Sequence, residues 1–112
     1  MNRAKIEDAL LAMGVPAGIK GFDYITDAVE IFDERGTNIS ITKELYPTIA
    51  EKNGTTPSRA ERAIRHAFEV ARDCRGKYET VNHYIGFANI KNSASLKQLH
   101  MKRKREETEE LL

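Results

Sequence analysis

A short break between two helical segments, at residues 53–56, limits the possible folds of this chain more than any other feature of its sequence. The break reads Asn-Gly-Thr-Thr, a tight-turn composition, and Thr56 followed by Pro57 is typical of a helix start. Pro47 also favours a helix start, because proline fits the first turn of a helix and disrupts its interior. Residues 47–70 therefore have the layout of a helix-turn-helix motif. On layout alone, an αα-hairpin in any small bundle is an equally good interpretation.

The rest of the chain also has a helical period and no strand-like alternation of any length. Besides the two helices of the motif, apolar residues predict helices at about residues 6–13, 22–34 and 81–85, and a last one from Leu96 into the basic run 102–105. A chain of 112 residues corresponds to one domain at roughly 100 to 200 residues per domain. We expect an all-α bundle of about six helices over residues 1–100, with a charged helix end or tail at 101–112.

The second helix of the motif, predicted over residues 57–74, has two chemically different faces. At 100° per residue, small and apolar side chains collect on one face, which is expected to pack inward. These are Ala60, Ala63, Ile64, Ala67, Val70 and Ala71. The opposite face is polar, with Ser58, Arg62, Arg65 and Glu69 at its centre, Glu61 and Arg72 on one flank, and Arg59, His66 and Asp73 on the other.

The polar face matches the chemistry of DNA recognition. In a helix-turn-helix, the N-terminal part of this helix enters the major groove, which is where Ser58, Glu61, Arg62 and Arg65 lie. Arginine bonds guanine O6 and N7 with two donors, and glutamate accepts from the cytosine amino group. The alternative is a solvated surface with i, i+4 ion pairs from Glu61 to Arg65 and from Arg65 to Glu69. Arginines near a helix N-terminus oppose the helix dipole, and this favours the DNA interpretation, in which phosphates or guanines compensate their charge.

The formal net charge of +1 hides an uneven distribution along the chain. Residues 1–41 hold 4 Lys and Arg against 7 Asp and Glu, whereas residues 42–105 hold 14 against 6. Residues 106–112 hold no basic residue and 4 acidic ones. The basic middle contains the predicted groove-binding helix, as a nucleic-acid partner requires.

Other classes of protein are not supported by the sequence. The single cysteine, Cys74, excludes an internal disulfide, and the chain has neither a signal peptide nor an apolar run of about 18 residues. His83 and His100 lack metal-ligand spacing with each other or with Cys74. Neither a nucleophile elbow nor a phosphate-cradling glycine loop is present. We expect a cytoplasmic protein, associated with the nucleoid when bound to DNA, with no enzymatic activity, no metal, no cofactor and no membrane contact.

Several short motifs resemble one known family. They include Gly14-Val15-Pro16-Ala17, Ile19-Lys20-Gly21, Ser40-Ile41-Thr42-Lys43, Leu45-Tyr46-Pro47, Ser58-Arg59 and Glu61-Arg62-Ala63-Ile64-Arg65-His66-Ala67. In this order and spacing, over about residues 6–86, they resemble the C-terminal effector domain of the sporulation master response regulator, the stage 0 sporulation protein A family of endospore-forming Firmicutes. The resemblance implies a six-helix domain that binds a short promoter element of double-stranded DNA, often as tandem copies.

The resemblance also implies roles for individual residues. Base contacts fall on Glu61, Arg62 and Arg65, and DNA backbone contacts on Ser58, Arg59 and His66. Residues 76–87 occupy the place of a segment that contacts the sigma subunit of RNA polymerase, although Lys77, Tyr78, Asn82 and His83 differ from the family pattern.

In the family a phosphoacceptor receiver domain normally precedes this effector domain, and we expect none within these 112 residues. The chain is equally compatible with an excised domain and with a free-standing homologue, and a homodimer is a further expectation. The alternative hypothesis is a receiverless helical protein-interaction module that titrates a full-length regulator or RNA polymerase without engaging DNA.

Overall fold

The computed structural model describes residues 1–73 and 77–112, and this part of the chain contains helices and no strand. Six α-helices follow one another along the chain: α1 (Arg3–Ala12), α2 (Lys20–Arg35), α3 (Tyr46–Asn53), α4 (Pro57–Arg72), α5 (Tyr78–Tyr84) and α6 (Asn92–Glu110). The predicted all-α bundle of six helices is thereby confirmed. Within the described ranges, none of the helices combines the length and the apolarity needed to cross a lipid bilayer.

The predicted helix boundaries at the central turn are confirmed by its geometry. Thr56 is the N-cap of α4, and its side-chain oxygen accepts a hydrogen bond from the Arg59 amide at 3.2 Å. Gly54 ends α3 in the left-handed conformation, with φ at 64°, which glycine adopts without the steric cost of a side chain. Cys74, the last residue of the helix predicted over 57–74, lies outside the described residues.

The start of α3 differs from the sequence prediction in one respect. The helix begins at Tyr46, one residue before the predicted start at Pro47, but a π-helical turn from Ile41 to Leu45 precedes it. The Ser40 hydroxyl accepts from the Lys43 amide at 3.1 Å and so caps this turn. The wider turn leaves Leu45 completely buried. Periodicity at 3.6 residues per turn does not detect an inserted residue, which explains why the π-helical turn was missed.

Helix α2 is the centre of the bundle and packs against α1, α4 and α6. Its approach to α4 is closest at Gly21. A Cβ atom added there would overlap the Ala63 carbonyl oxygen and would lie 2.7 Å from the Ala67 Cβ. The absence of a side chain at Gly21 therefore determines how deeply α4 sits against α2.

The charged end of the chain is part of α6, which continues through the basic run to Glu110. The sequence suggested a solvated helix end with pairs formed four residues apart. Instead, Arg103 is buried and donates to Glu106, three residues on, at 2.9 Å. Arg103 therefore lies on the side of α6 that packs against the rest of the bundle.

Candidate nucleic-acid interface

The inner face of α4 anchors the helix in the bundle. Its buried residues are Ala60, Ile64, Ala67, Phe68 and Ala71, whereas Ala63 and Val70 are only half-buried. The sequence prediction omitted Phe68 and counted Val70 as fully inward. The buried face of α4 is thus centred closer to Ile64 and Phe68 than the sequence predicted, because the neighbouring elements cover that side of the helix.

The outer face of α4 carries the residues that the sequence singled out. Ser58, Arg59, Arg62, Arg65 and His66 are exposed, and Glu61 is half-buried at the margin of the face. All six therefore lie on the accessible side of one helix, between its first turn and its middle. This is the part of the second helix that enters the major groove in helix-turn-helix proteins.

Two of these residues are paired with each other. The Arg65 guanidinium donates to the Glu61 carboxylate at 2.7 Å, and the two side chains are 51 % and 31 % exposed. A pair of this kind contributes only about 0.3–0.5 kcal/mol to helix stability. Of the two i, i+4 pairs expected for a solvated surface, the Glu61–Arg65 pair is therefore present, and no ion pair joins Arg65 to Glu69 among the described residues.

A buried carboxylate holds the turn between α3 and α4. Asp27 of α2 accepts hydrogen bonds from Asn53 at 2.9 Å and from Lys52 at 3.0 Å, the last two residues of α3. It also accepts from Arg3 of α1 at 2.9 Å. Burial opposes ionisation of Asp27, but the hydrogen bonds from Asn53, Lys52 and Arg3 outweigh burial and hold the pKa of its carboxyl below the ordinary value. The charged network ties the motif to the first two helices.

A second buried polar group joins α6 to the motif. Asn92 is 9 % exposed, and its side-chain amide donates to the Glu61 backbone carbonyl at 3.0 Å and to the Tyr46 hydroxyl at 3.2 Å. Burial raises the pKa of the Tyr46 phenol, so this hydroxyl stays neutral. Asn92 therefore fixes the N-terminus of α6 against both helices of the motif, a role that sequence analysis did not find.

Arg72 makes a second link between α4 and the later part of the chain. Its guanidinium donates to the Gly86 carbonyl at 2.8 Å, to the Ile85 carbonyl at 3.3 Å and to the Ser95 hydroxyl at 2.7 Å. The same group lies 5.9 Å from the centre of the Phe68 ring. The sequence placed Arg72 on the flank of the polar face beside Glu61. In the structure, Arg72 instead connects α4 to the backbone that follows α5 and to Ser95 of α6.

Two cavities run along the same flank of α4. One, of about 550 Å³, is lined by side chains that include Tyr46, Glu61, Arg65 and Lys91. The other, of about 370 Å³, is lined by residues that include Arg65, Glu69 and Arg72. Ile90 and Arg65 border both cavities, so the segment before α6 forms the outer wall of a groove beside the candidate interface.

The segment expected to contact the sigma subunit, residues 76–87, is described from Lys77 onward, and Gly76 lies outside the described residues. Tyr78 is 61 % exposed and stacks on Phe87, with ring centres 4.8 Å apart and ring planes 9° apart. Tyr78 is one of the positions at which the sequence departs from the family pattern. The stacked pair joins the start of α5 to Phe87, which follows the helix.

The described residues contain no group of three or more His, Cys, Asp or Glu side chains that could hold a metal ion.

The chain matches a known protein family. The family described as Sporulation initiation factor Spo0A C terminal matches residues 6–102. The matched range includes the whole of α2, α3, α4 and α5, and it ends within α6, before the acidic run.

Proposed function

This chain belongs to the Spo0A C-terminal family of DNA-binding effector domains, which regulate transcription in sporulation, and we propose that it reads promoter DNA by inserting α4 into the major groove. In this proposal Glu61, Arg62 and Arg65 contact base edges. Ser58, Arg59 and His66 contact the sugar-phosphate backbone.

The observation that carries the proposal is the division of α4 into a buried face and an exposed basic face. Arg59 is exposed in the first turn of α4, where the helix dipole disfavours cations, and Arg62 is exposed in the next turn. DNA supplies phosphates and guanine acceptors in the positions that would compensate them. Asp27 and Asn92 support the proposal further, because they hold the turn before α4 and the backbone at Glu61 in place.

The test compares two arginines of the same face. Arg62→Ala is expected to cost about 1 to 3 kcal/mol of binding free energy on a preferred duplex and to relax base preference at one position. Arg59→Ala is expected to weaken preferred and random duplexes by the same factor, since a phosphate contact carries no sequence information. The preferred duplex is obtained by selection from a random pool, and both affinities are measured by fluorescence anisotropy at physiological salt.

The proposal is wrong if the unmodified chain binds the selected and the random duplex equally well. It is also wrong if Arg62→Ala leaves the preference between them unchanged. Both variants alter exposed side chains, so their melting temperatures should equal that of the parent chain and serve as the folding control.

The resemblance also suggests a contact with the RNA polymerase sigma subunit through residues 76–87. Tyr78 on α5 offers an exposed aromatic side chain there, at a position where this sequence departs from the family pattern. Tandem or dimeric binding on DNA is a further part of the proposal. One binding experiment distinguishes the protein-interaction alternative from DNA binding: the chain is tested for complexes with sigma subunit, with a full-length regulator and with duplex DNA. If the chain forms a complex with sigma subunit or with a full-length regulator and none with any duplex, the alternative replaces the proposal.

A further inference from the structure

We propose that residues 88–91, which join α5 to α6, form a second DNA contact beside α4. In this inference Lys91 binds a phosphate of the strand that flanks α4, and Ile90 covers the neighbouring deoxyribose. The inference rests on the proposed insertion of α4 into the major groove. It adds a contact surface outside the helix-turn-helix motif.

The first argument is that α4 holds this segment at both ends. Before it, Arg72 of α4 binds the backbone carbonyls of Gly86 and Ile85 at 2.8 and 3.3 Å. After it, Asn92 donates to the Glu61 carbonyl of α4 at 3.0 Å. Because both anchors end on α4, the segment keeps a fixed position relative to that helix, and a DNA strand aligned by α4 meets it in a defined place.

The second argument is the surface that the segment presents. Ile90 is 68 % exposed, and it borders both cavities on the flank of α4 together with Arg65. A single exposed isoleucine needs no explanation by itself. Here it stands next to a side chain expected to contact a base, and its backbone neighbour Lys91 is exposed as well. The segment is therefore continuous with the proposed interface.

The third argument is electrostatic. The larger cavity is lined by the cations Arg65 and Lys91 and by one carboxylate, Glu61, which is already paired with Arg65 at 2.7 Å. Among the residues described, no carboxylate forms an ion pair with Lys91. The ammonium of Lys91 thus leaves a positive charge at the edge of the groove.

The DNA geometry supplies an anion on this side. A helix in the major groove has a phosphate strand on each flank, and Arg59 and His66 occupy only the flank opposite Lys91. Asn89 Oδ1 accepts from the Lys91 amide at 3.2 Å and so stiffens the backbone from which the lysine projects. The strand on the near flank is the occupant that fits both the charge and the position of the segment.

The test measures how affinity depends on salt for the parent chain and for Lys91→Ala, with Lys5→Ala as a matched control. Lys5 is exposed on α1, which packs against α2 and α6. Lys91→Ala is expected to weaken the selected and random duplexes by the same factor, about three- to tenfold at physiological salt. It should also reduce the slope of log K against log salt by about 1. Lys5→Ala should change neither.

Ile90→Glu provides the second measurement. It places a carboxylate where the sugar-phosphate strand is expected, so it should reduce the affinity more than Lys91→Ala does, while the melting temperature stays unchanged because the side chain is exposed. Ethylation interference should show one phosphate contact that is present with the parent chain and absent with Lys91→Ala.

The failure of this inference is distinguishable from failure of the proposed function. If the parent chain discriminates between duplexes and Arg62→Ala relaxes that discrimination, but Lys91→Ala keeps the parental affinity and salt slope, only the second contact is wrong. If the Lys91 and Ile90 variants bind DNA normally and lose binding to sigma subunit, the segment contacts protein and the inference is overturned. If the parent chain does not discriminate between duplexes, both proposals fall.

Discussion

The two faces of α4 differ in how closely they are packed. On the inner face, Gly21 of α2 approaches the backbone of Ala63 so closely that no side chain fits between them. On the outer face, Arg59, Arg62 and His66 extend into solvent. The inner face has almost no space for an additional side-chain atom. On the outer face, the contact that the structure describes between side chains is the ion pair of Glu61 and Arg65. Changes on the inner face should therefore affect stability, and changes on the outer face should affect DNA recognition.

The largest effect is expected from a single methyl group on the inner side. Gly21→Ala should destabilise the fold by about 3 kcal/mol, because the new Cβ overlaps the Ala63 carbonyl oxygen, a backbone atom that moves only if α4 moves. The better helix propensity of alanine recovers only about 1 kcal/mol of that loss, which the figure includes. Urea denaturation followed by circular dichroism measures the change.

Gly18→Ala is the matched control for Gly21→Ala. A Cβ at Gly18 meets no atom within 4 Å, so this variant should be as stable as the parent chain or slightly more stable. Equal stability of the two variants would contradict the close contact between α2 and α4. A Gly21→Ala chain that folds but loses DNA affinity would show that the inner face also sets the position of the outer one.

A smaller loss is expected at the buried carboxylate that holds the turn before α4. Asp27→Asn should cost about 1 to 3 kcal/mol at pH 7, because three donors then face a neutral amide. The pKa of Asp27 is lowered by folding, so its contribution is present above the unfolded value of about 3.9 and is lost as pH falls below it. The difference in stability between parent and variant should therefore shrink below about pH 4.

Denaturation curves between pH 3 and pH 7 measure that difference. Asp23→Asn is the control, because Asp23 is exposed on the same helix and should change the stability by only a few tenths of a kcal/mol. If the Asp27 variant has the same pH dependence as the parent chain, the carboxylate is not the group that ties the turn to α2.

Local signals in the sequence predicted much of this arrangement, and long-range contacts explain the remainder. Thr56 with Pro57 and Gly54 defined the turn because caps and left-handed glycines act within a few residues. The anchors could not be predicted in the same way. Asp27 lies 26 residues from Asn53, and Asn92 lies 46 residues from Tyr46, so only the folded chain brings these groups together. The centre of the exposed face of α4 was predicted from helical phase, whereas its margins, at Val70 and Arg72, depend on the elements packed beside the helix.

The smallest effect on stability should come from Glu61→Gln on the outer face. This substitution removes the charge that pairs with Arg65, an interaction between partly exposed side chains, so we expect a loss of about 0.3–0.5 kcal/mol. The effect on recognition should be larger. Glutamate accepts from the cytosine amino group, whereas glutamine favours adenine, and each good contact discriminates by about 1–3 kcal/mol. Affinity for a random duplex should rise, because one negative charge near the phosphates is removed.

Selection of bound sequences from a random pool, repeated with the Glu61→Gln chain, measures the change in base preference directly. Glu69→Gln is the matched control, because Glu69 lies on the same exposed face two turns further from the helix N-terminus and should leave the selected sequence unchanged. If both variants select the parental sequence, Glu61 acts only as the partner of Arg65. A shift confined to one base position would instead show that Glu61 contacts the DNA. The Glu61–Arg65 pair contributes too little to the stability of the fold for a change in stability to explain such a shift.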